Sequence, residues 1–414
     1  MSVTKPLGCR FCDAPLVQSF VDLGTMPLAN SYLTLAQLRQ PEARFPLHAR
    51  VCGACRLVQV EASATPSDIF SEYAYFSSIS SSWVEHARRF ADMARARWRL
   101  GPGSKVVEVA SNDGYLLKHF VAAGVPVLGV EPAANVAEAA RAVGVPTDVS
   151  FFGRETAERL GREGHKADLI VANNVFAHVP DINDFVAGLA ILLKPEGVIS
   201  LEFPHLLRLI HGVQFDTIYH EHFSYLSLLA SERVLAAHGL RVFDVEELPT
   251  HGGSLRVLAC HVAAKGHAEG AGLAKLRRDE AAASLDRDIG YAGFEPRVRA
   301  VRDGLMAFLH RARDQGKTVV AYGAAAKGNT LLNYCGIGSD LVAYVVDKSP
   351  HKQGHYLPGT HLPIYAPDRL AVTQPSYVLI LPWNLRDEII GEMGEVRYWR
   401  GQFLVAVPEL TVFD

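Results

Sequence analysis

Apolar and polar positions fall into a repeating two-part pattern from Lys105 onward. VVEVA (106–110) is followed by the helically spaced YLLKHFVAAG (115–124), and VLGVE (127–131) by NVAEAARAVG (135–144). ADLIVANN (167–174) and GVISLEF (197–203) are two further apolar runs, separated by an apolar helical segment at 183–193. Short unbroken apolar runs closed by turn residues read as strands buried on both faces, and the segments between them as helices ended by glycine. Strands alternating with helices predict a parallel sheet with right-handed crossovers, hence a doubly wound α/β domain.

The pattern breaks and then restarts. Residues 263–269 are small and polar, and 273–315 read as a charged helical connector. TVVAYG (318–323), LVAYVVD (341–347), YVLILPW (377–383) and FLVAVP (403–408) are again buried strands, with a helix starting near Asn329. They predict a second, smaller, Rossmann-like domain. Upstream, an aromatic and serine-rich stretch precedes a helix at 83–99. The expected divisions are a metal-binding module at 1–66, the first doubly wound domain at 67–262, the connector at 263–316 and the second domain at 317–414.

Composition narrows the function. The 414 residues are 49% hydrophobic and 21% charged, ordinary for a globular chain that needs no disulfide scaffold. Forty-one Lys and Arg against 44 Asp and Glu give a net charge of −3, which argues against a nucleic-acid binder. No apolar run approaches the roughly 18 residues needed to span a bilayer, and no signal peptide opens the chain. A cytoplasmic protein with no membrane partner is expected.

Four of the six cysteines form two C-x-x-C pairs, Cys9/Cys12 and Cys52/Cys55. Such spacing lets one tight turn aim two sulfurs at one cation, and four thiolates close a tetrahedral zinc shell. A structural zinc site is therefore predicted, with Gly53 expected to supply an unusual backbone angle in its knuckle.

Two strand–turn–helix junctions carry nucleotide-type chemistry. In the first, Glu108, Ala110, Asn112 and Gly114 lie in EVASNDG, and Glu131 closes the next strand. Small residues let a ligand approach the backbone, and an acidic strand end can accept hydrogen bonds from ribose hydroxyls. The order resembles the E-x-G-x-G-x-G motif of S-adenosylmethionine-dependent methyltransferases, with Ala110 and Asn112 replacing two glycines. Asn173 and His178, after the fourth strand, are where such enzymes line the adenosine pocket. In the second junction, Tyr322, Gly323, Lys327 and Asn329 lie in YGAAAKGNT and Asp347 closes the next strand. Small residues and one lysine there suggest a pyrophosphate cradle. Neither turn matches the dinucleotide fingerprint G-x-G-x-x-G, which argues against NAD.

A third motif, Tyr219-His220-Glu221-His222, follows a strand carrying Glu202, Phe203, Pro204 and His205. In an extended segment His220 and His222 would share a face, and histidine suits general-base work near neutral pH. His251-Gly252-Gly253-Ser254 is a further candidate on the substrate side.

Together the cysteine pairs, EVASNDG, YHEHFSY and AYGAAAKGNT look like the sugar C-methyltransferase family, over nearly the whole chain. The resemblance implies S-adenosylmethionine as methyl donor and a nucleotide-linked (dTDP) 4-keto-deoxysugar as substrate, methylated at C3, or at C5 as in some relatives. It implies that His222 removes the proton alpha to the ketone, assisted by Tyr219 and Glu221, and that Tyr73 or Tyr75 lies near the sugar. The second α/β domain would anchor the nucleotide, with Lys327 and Asn329 near its phosphates. Self-association is not needed to complete such a site, so a working monomer is expected. An RNA methyltransferase is the main rival, resting on Arg88, Arg89, Arg95, Arg97 and Arg99 along one helix; a solvated helix face accounts for these equally well.

Overall fold

The structure is a computed structural model that describes residues 7–61 and 76–414. Three sheets organise it. β1 (Gln18–Met26), β2 (Phe45–Val51) and β3 (Val58–Val60) form an antiparallel sheet beyond the first cysteine pair. The central sheet begins with β4 (Val106–Val109), β5 (Val127–Val130), β6 (Thr147–Asp148), β7 (Ala167–Asn173) and β8 (Leu193–Pro204). β9 (Ser224–Tyr225) then leaves this domain and pairs with β3, so the central chain donates a strand to the cysteine module. β10 (Leu240–Leu248) and β11 (Ser254–His261) complete the central sheet, whose order is β10-β11-β8-β7-β4-β5-β6. Strands β4 to β8 run parallel and β11 is antiparallel to both its neighbours.

The doubly wound sheet is the one the alternating pattern predicts, made mixed by the antiparallel β11. VVEV and VLGV are buried at every position, because helices cover both faces of a parallel sheet. The predicted helix at 83–99 is Ser81–Trp98, capped by Ser80, whose hydroxyl accepts from the Trp83 N–H at 3.3 Å. Its arginines are paired along the exposed face: Arg88 with Glu85 and Asp92, Arg89 with Glu85, and Arg97 with Asp244.

The third sheet contains β12 (Val319–Tyr322), β13 (Val345–Val346), β14 (Ile364–Tyr365), β15 (Tyr377–Ile380), β16 (Gln402–Val405) and β17 (Thr411–Phe413). Its order is β14-β13-β12-β15-β16-β17, parallel except for the last strand. The apolar run at 341–347 yields a strand of only two residues.

One apolar core runs through Phe20, Leu47 and Val58 of the first sheet, Phe294 and Leu305 of the connector, Ala321 of the third sheet and Leu331 of the helix that follows β12. The Phe20 and Phe294 rings stack at 4.3 Å. The cysteine knuckles instead join the core of the central sheet, through Leu16 and Leu57. The N-terminal module therefore lies against both α/β domains. Among the described residues no helix is long and apolar enough to cross a membrane.

Candidate active site

The four cysteines converge as their spacing predicts. Their sulfurs lie within 4.8 Å of one another, with Cys9–Cys55 and Cys12–Cys52 each at 3.5 Å. Each knuckle is a tight turn closed by main-chain bonds, Asp13 N–H to Cys9 O and Arg56 N–H to Cys52 O. The left-handed conformation falls on Asp13 (φ 57°) and Arg56 (φ 67°). Gly53 does not adopt it, which corrects the expectation: the strain sits after the second cysteine of each pair, not between the two. Four thiolates with no open position fit a structural zinc ion.

The first nucleotide-type turn is held by its own acidic strand end. Glu131 accepts the Asn112 N–H on Oε2 at 3.0 Å and the Ala133 N–H on Oε1 at 2.9 Å. Ala110 (φ 54°), Asn112 (φ 50°) and Gly114 (φ 78°) take left-handed conformations in succession. Asn112 occupies one motif-glycine position, and its carboxamide accepts from the Ser77 N–H at 2.8 Å, while Asp113 accepts from the Ser78 hydroxyl. The serine-rich segment thus lies over the turn. Tyr73 and Tyr75 lie outside the described residues. Glu108 is fully buried beneath the turn beside Tyr115, and burial pushes its carboxyl well above the usual range. Asn173 is buried at the end of β7, and the next residue, Asn174, bonds the His251 ring at 3.1 Å. A glycine-closed turn beneath an acidic strand end fits the adenosyl part of the methyl donor.

The Tyr-His-Glu-His segment is a tight turn, the His222 N–H meeting Tyr219 O at 3.0 Å, and not the extended segment expected. The turn sends the two histidines apart. His220 points to the zinc module, its Nε2 bonded to Phe45 O at 3.2 Å. His222 turns the other way, its ring meeting Thr217, Tyr219 and His178. Its Nδ1 lies 3.0 Å from Thr217 O, and a carbonyl accepts only, so Nδ1 carries the proton. Nε2 is then the acceptor, and it receives the Tyr219 hydroxyl at 2.8 Å. His178 packs edge-on to this ring at 4.5 Å. Burial, with His178 nearby, holds the His222 pKa well below the usual value, and burial brings His178 to about 4. Both rings are neutral.

Glu221 accepts from Asn30 Nδ2 at 2.7 Å, and burial raises its pKa. Asp216, fully buried just upstream, accepts the Trp383 indole N–H at 2.7 Å; burial brings its carboxyl to about 6. Trp383 in turn lies under Lys327, whose Nζ is 4.7 Å from the ring centroid and 2.6 Å from Asn384 Oδ1. Gly252 has room only for hydrogen where this indole passes.

The second nucleotide-type turn shares the first one's clamp. Asp347 accepts the Ala324 N–H at 2.7 Å and the Ser349 N–H at 2.8 Å. Its surroundings differ from those expected of a pyrophosphate cradle. Gly323 (φ 90°) packs against Pro382, and the Tyr32 hydroxyl and Lys352 Nζ donate to Ala324 O at 2.6 and 2.8 Å. Asn329 is buried and donates to Ala29 O, so it does not face a ligand. Tyr322 is buried at the strand end. Lys327 lies near His222 and His251, and its charge helps to hold both rings below their usual pKa.

Asn30, Tyr32, Asp216 and Trp383 carry no motif in the sequence. They come from the N-terminal module, a short 3₁₀ turn and the loop after β15, and only folding brings them together.

Residues 9–70 match a zinc-binding domain family, 83–245 a methyltransferase domain family, and 249–408 the C-methyltransferase C-terminal domain family. The chain is 36% identical to the C-methyltransferase NovU of Streptomyces niveus over 413 residues, covering 100% of this chain and 98% of that one. A ubiquinone biosynthesis O-methyltransferase of Bartonella bacilliformis is 30% identical over 100 residues, 24% of this chain and 40% of the other. Among solved structures, the 1,6-didemethyltoxoflavin-N1-methyltransferase of Burkholderia thailandensis is 17% identical, covers 50% of this chain and 94% of its own, and superposes with a TM-score of 0.35. That partial likeness adds nothing to the strand order. Whole-length identity to NovU, with the three domain families in one order, places the chain in the C-methyltransferase family.

Proposed function

We propose that the protein methylates a nucleotide-linked 4-keto-deoxysugar, dTDP-linked by resemblance, at the carbon next to the ketone, C3. The observation that carries this reading is the His222 geometry. A neutral imidazole is locked through Nδ1–H onto Thr217 O, so Nε2 is the basic nitrogen, and His178, proposed for the donor side, packs against the same ring. An unactivated C–H is not nucleophilic, so C-methylation next to a carbonyl requires a base. His222 takes the alpha proton, and the resulting enolate carbon takes the methyl group. Bound S-adenosylmethionine supplies that methyl in electrophilic form.

The other residues have supporting roles. Tyr219 caps His222 Nε2 with its single hydroxyl proton and so aims the ring. Once substrate displaces that contact, Nε2 is free to take the alpha proton and the same hydroxyl donates to the developing oxyanion. Glu221 completes the same turn as a carboxylate. Glu108, Ala110, Asn112, Gly114, Glu131, Asn173 and His178 line or hold the donor side. Lys327 meets the charged part of the substrate, while Tyr322, Gly323, Asn329 and Asp347 hold its turn in shape. By resemblance alone, Tyr73 or Tyr75 is assigned to the sugar side. The zinc ion is structural, and the protein works as a cytoplasmic monomer.

Solvent exchange tests the proposal. A nucleotide-linked 4-keto-6-deoxysugar incubated with the protein and S-adenosylhomocysteine in heavy water should gain deuterium at the carbon next to the ketone. His222→Asn should slow this at least about a thousandfold while leaving donor binding intact. Exchange retained in that variant removes His222 as the base. Wild-type protein that neither exchanges nor methylates such sugars removes the substrate class.

A further inference from the structure

The zinc module grips the Tyr-His-Glu-His turn at three successive points. Phe45 O holds His220 at 3.2 Å, Asn30 donates to Glu221 at 2.7 Å, and β3 pairs with Ser224 and Tyr225. The loop bearing Asn30 is itself fixed from the other side. Ala29 O accepts from Asn329, the Tyr32 hydroxyl donates to Ala324 O, and Leu33 and Tyr356 exchange both main-chain bonds, at 2.9 and 2.8 Å. Asn30 therefore sits in a loop held at both ends by the C-terminal domain, with its side chain turned to the central one.

The chemistry of the contact is specific. Glu221 is only 6% exposed, and burial disfavours its charged form. The Asn30 amide donates to one carboxylate oxygen and so favours the ionised state, without the full charge that a lysine or arginine would bring. Asn30 is exposed, so its position is set by this bond and its loop, not by packing in a core.

We propose that Asn30 is a positioning residue for the reaction: by its bond to the Glu221 carboxylate it keeps that group ionised and fixes the turn from which the next residue, His222, projects, and thereby makes the zinc module part of the active site. The inference rests on the role given to Glu221 above. Asn30 acts through Glu221 and touches no reacting atom.

The first test does not depend on the substrate. The protein is labelled with glutamate carrying ¹³C at the side-chain carboxyl, and Glu221 is assigned by the signal missing in Glu221→Gln. Asn30→Ala should move the Glu221 titration up by about one pH unit. An unmoved titration overturns the proposal. The second test follows alpha-proton exchange with pH. The acid limb of the profile should move up by the same amount in Asn30→Ala and return toward wild type in Asn30→Gln. Uniform loss of rate with an unmoved limb makes Asn30 merely structural and also overturns the proposal. If Glu221→Gln exchanges at the wild-type rate, the role of Glu221 fails instead, and the titration still reports on the contact.

Discussion

The two nucleotide-type turns share a clamp and differ in what stands before them. In each, a carboxylate at the end of the following strand accepts one N–H from the turn and one from two residues beyond itself: Glu131 from Asn112 and Ala133, Asp347 from Ala324 and Ser349. Before the central turn lies the serine segment, bonded to the Asn112 and Asp113 side chains. Before the C-terminal turn lie Tyr32, Lys352 and the Ala29 carbonyl, which take up its bonding groups. One strand–turn–helix geometry thus meets the serine segment in one domain and the zinc module in the other. The clamp shapes the turn, and the neighbours decide its use.

Removing the metal should separate the two turns most sharply. Cys52→Ser should lose zinc and several kcal/mol of stability (~3 or more). In that variant amide hydrogen exchange should rise at 29–33 and 324–330 while 110–116 stays protected. Equal loss at both turns, or a variant that keeps its zinc, breaks the comparison.

The carboxylate clamps give the next effect. Glu131→Ala should weaken S-adenosylmethionine binding about a hundredfold in calorimetry, since it removes the acceptor for ribose and for two turn amides. Asp347→Ala should leave that affinity unchanged and cost about 1–3 kcal/mol in denaturant unfolding. If both variants lose donor affinity alike, the two turns are not divided as described.

The smallest effect concerns charge behind the C-terminal turn. Burial raises Asp216 from its ordinary 3.8 to about 6 in the folded protein. A carboxyl raised on folding favours the folded state below its unfolded pKa, and that contribution fades as pH rises through the folded one. Relative to wild type, Asp216→Asn should therefore gain stability between pH 4 and 6, by at most about 3 kcal/mol, and stay level above. A constant difference across that range would show that Asp216 does not titrate there.

Much of the architecture was legible because burial on both faces leaves a local mark. VVEV, VLGV and VVAY are apolar runs, broken only by Glu108 in the first, and became fully buried strands. The cysteine pairs were equally readable, since two intervening residues already place two sulfurs on one turn. Gly53 misled, because glycine permits an unusual angle without requiring it. The extended reading of the Tyr-His-Glu-His segment failed for a related reason. Alternation of residue types cannot distinguish a strand from a turn when one histidine is held by a distant partner, Phe45, and the other folds back on a carbonyl just upstream, Thr217.

The sequence by itself determined the cysteine quartet, the two α/β patterns and the acidic strand ends, because each rests on residues a few positions apart; the family resemblance, not spacing, singled out His222 as the candidate base. Tertiary structure alone decided that Asn30 meets Glu221, that Trp383 joins Asp216 to Lys327, and that the second turn is filled by Tyr32. Those contacts join residues 167 to 292 positions apart. No local pattern encodes a hydrogen bond across such a separation. It exists only once a shared apolar core has brought the three sheets together.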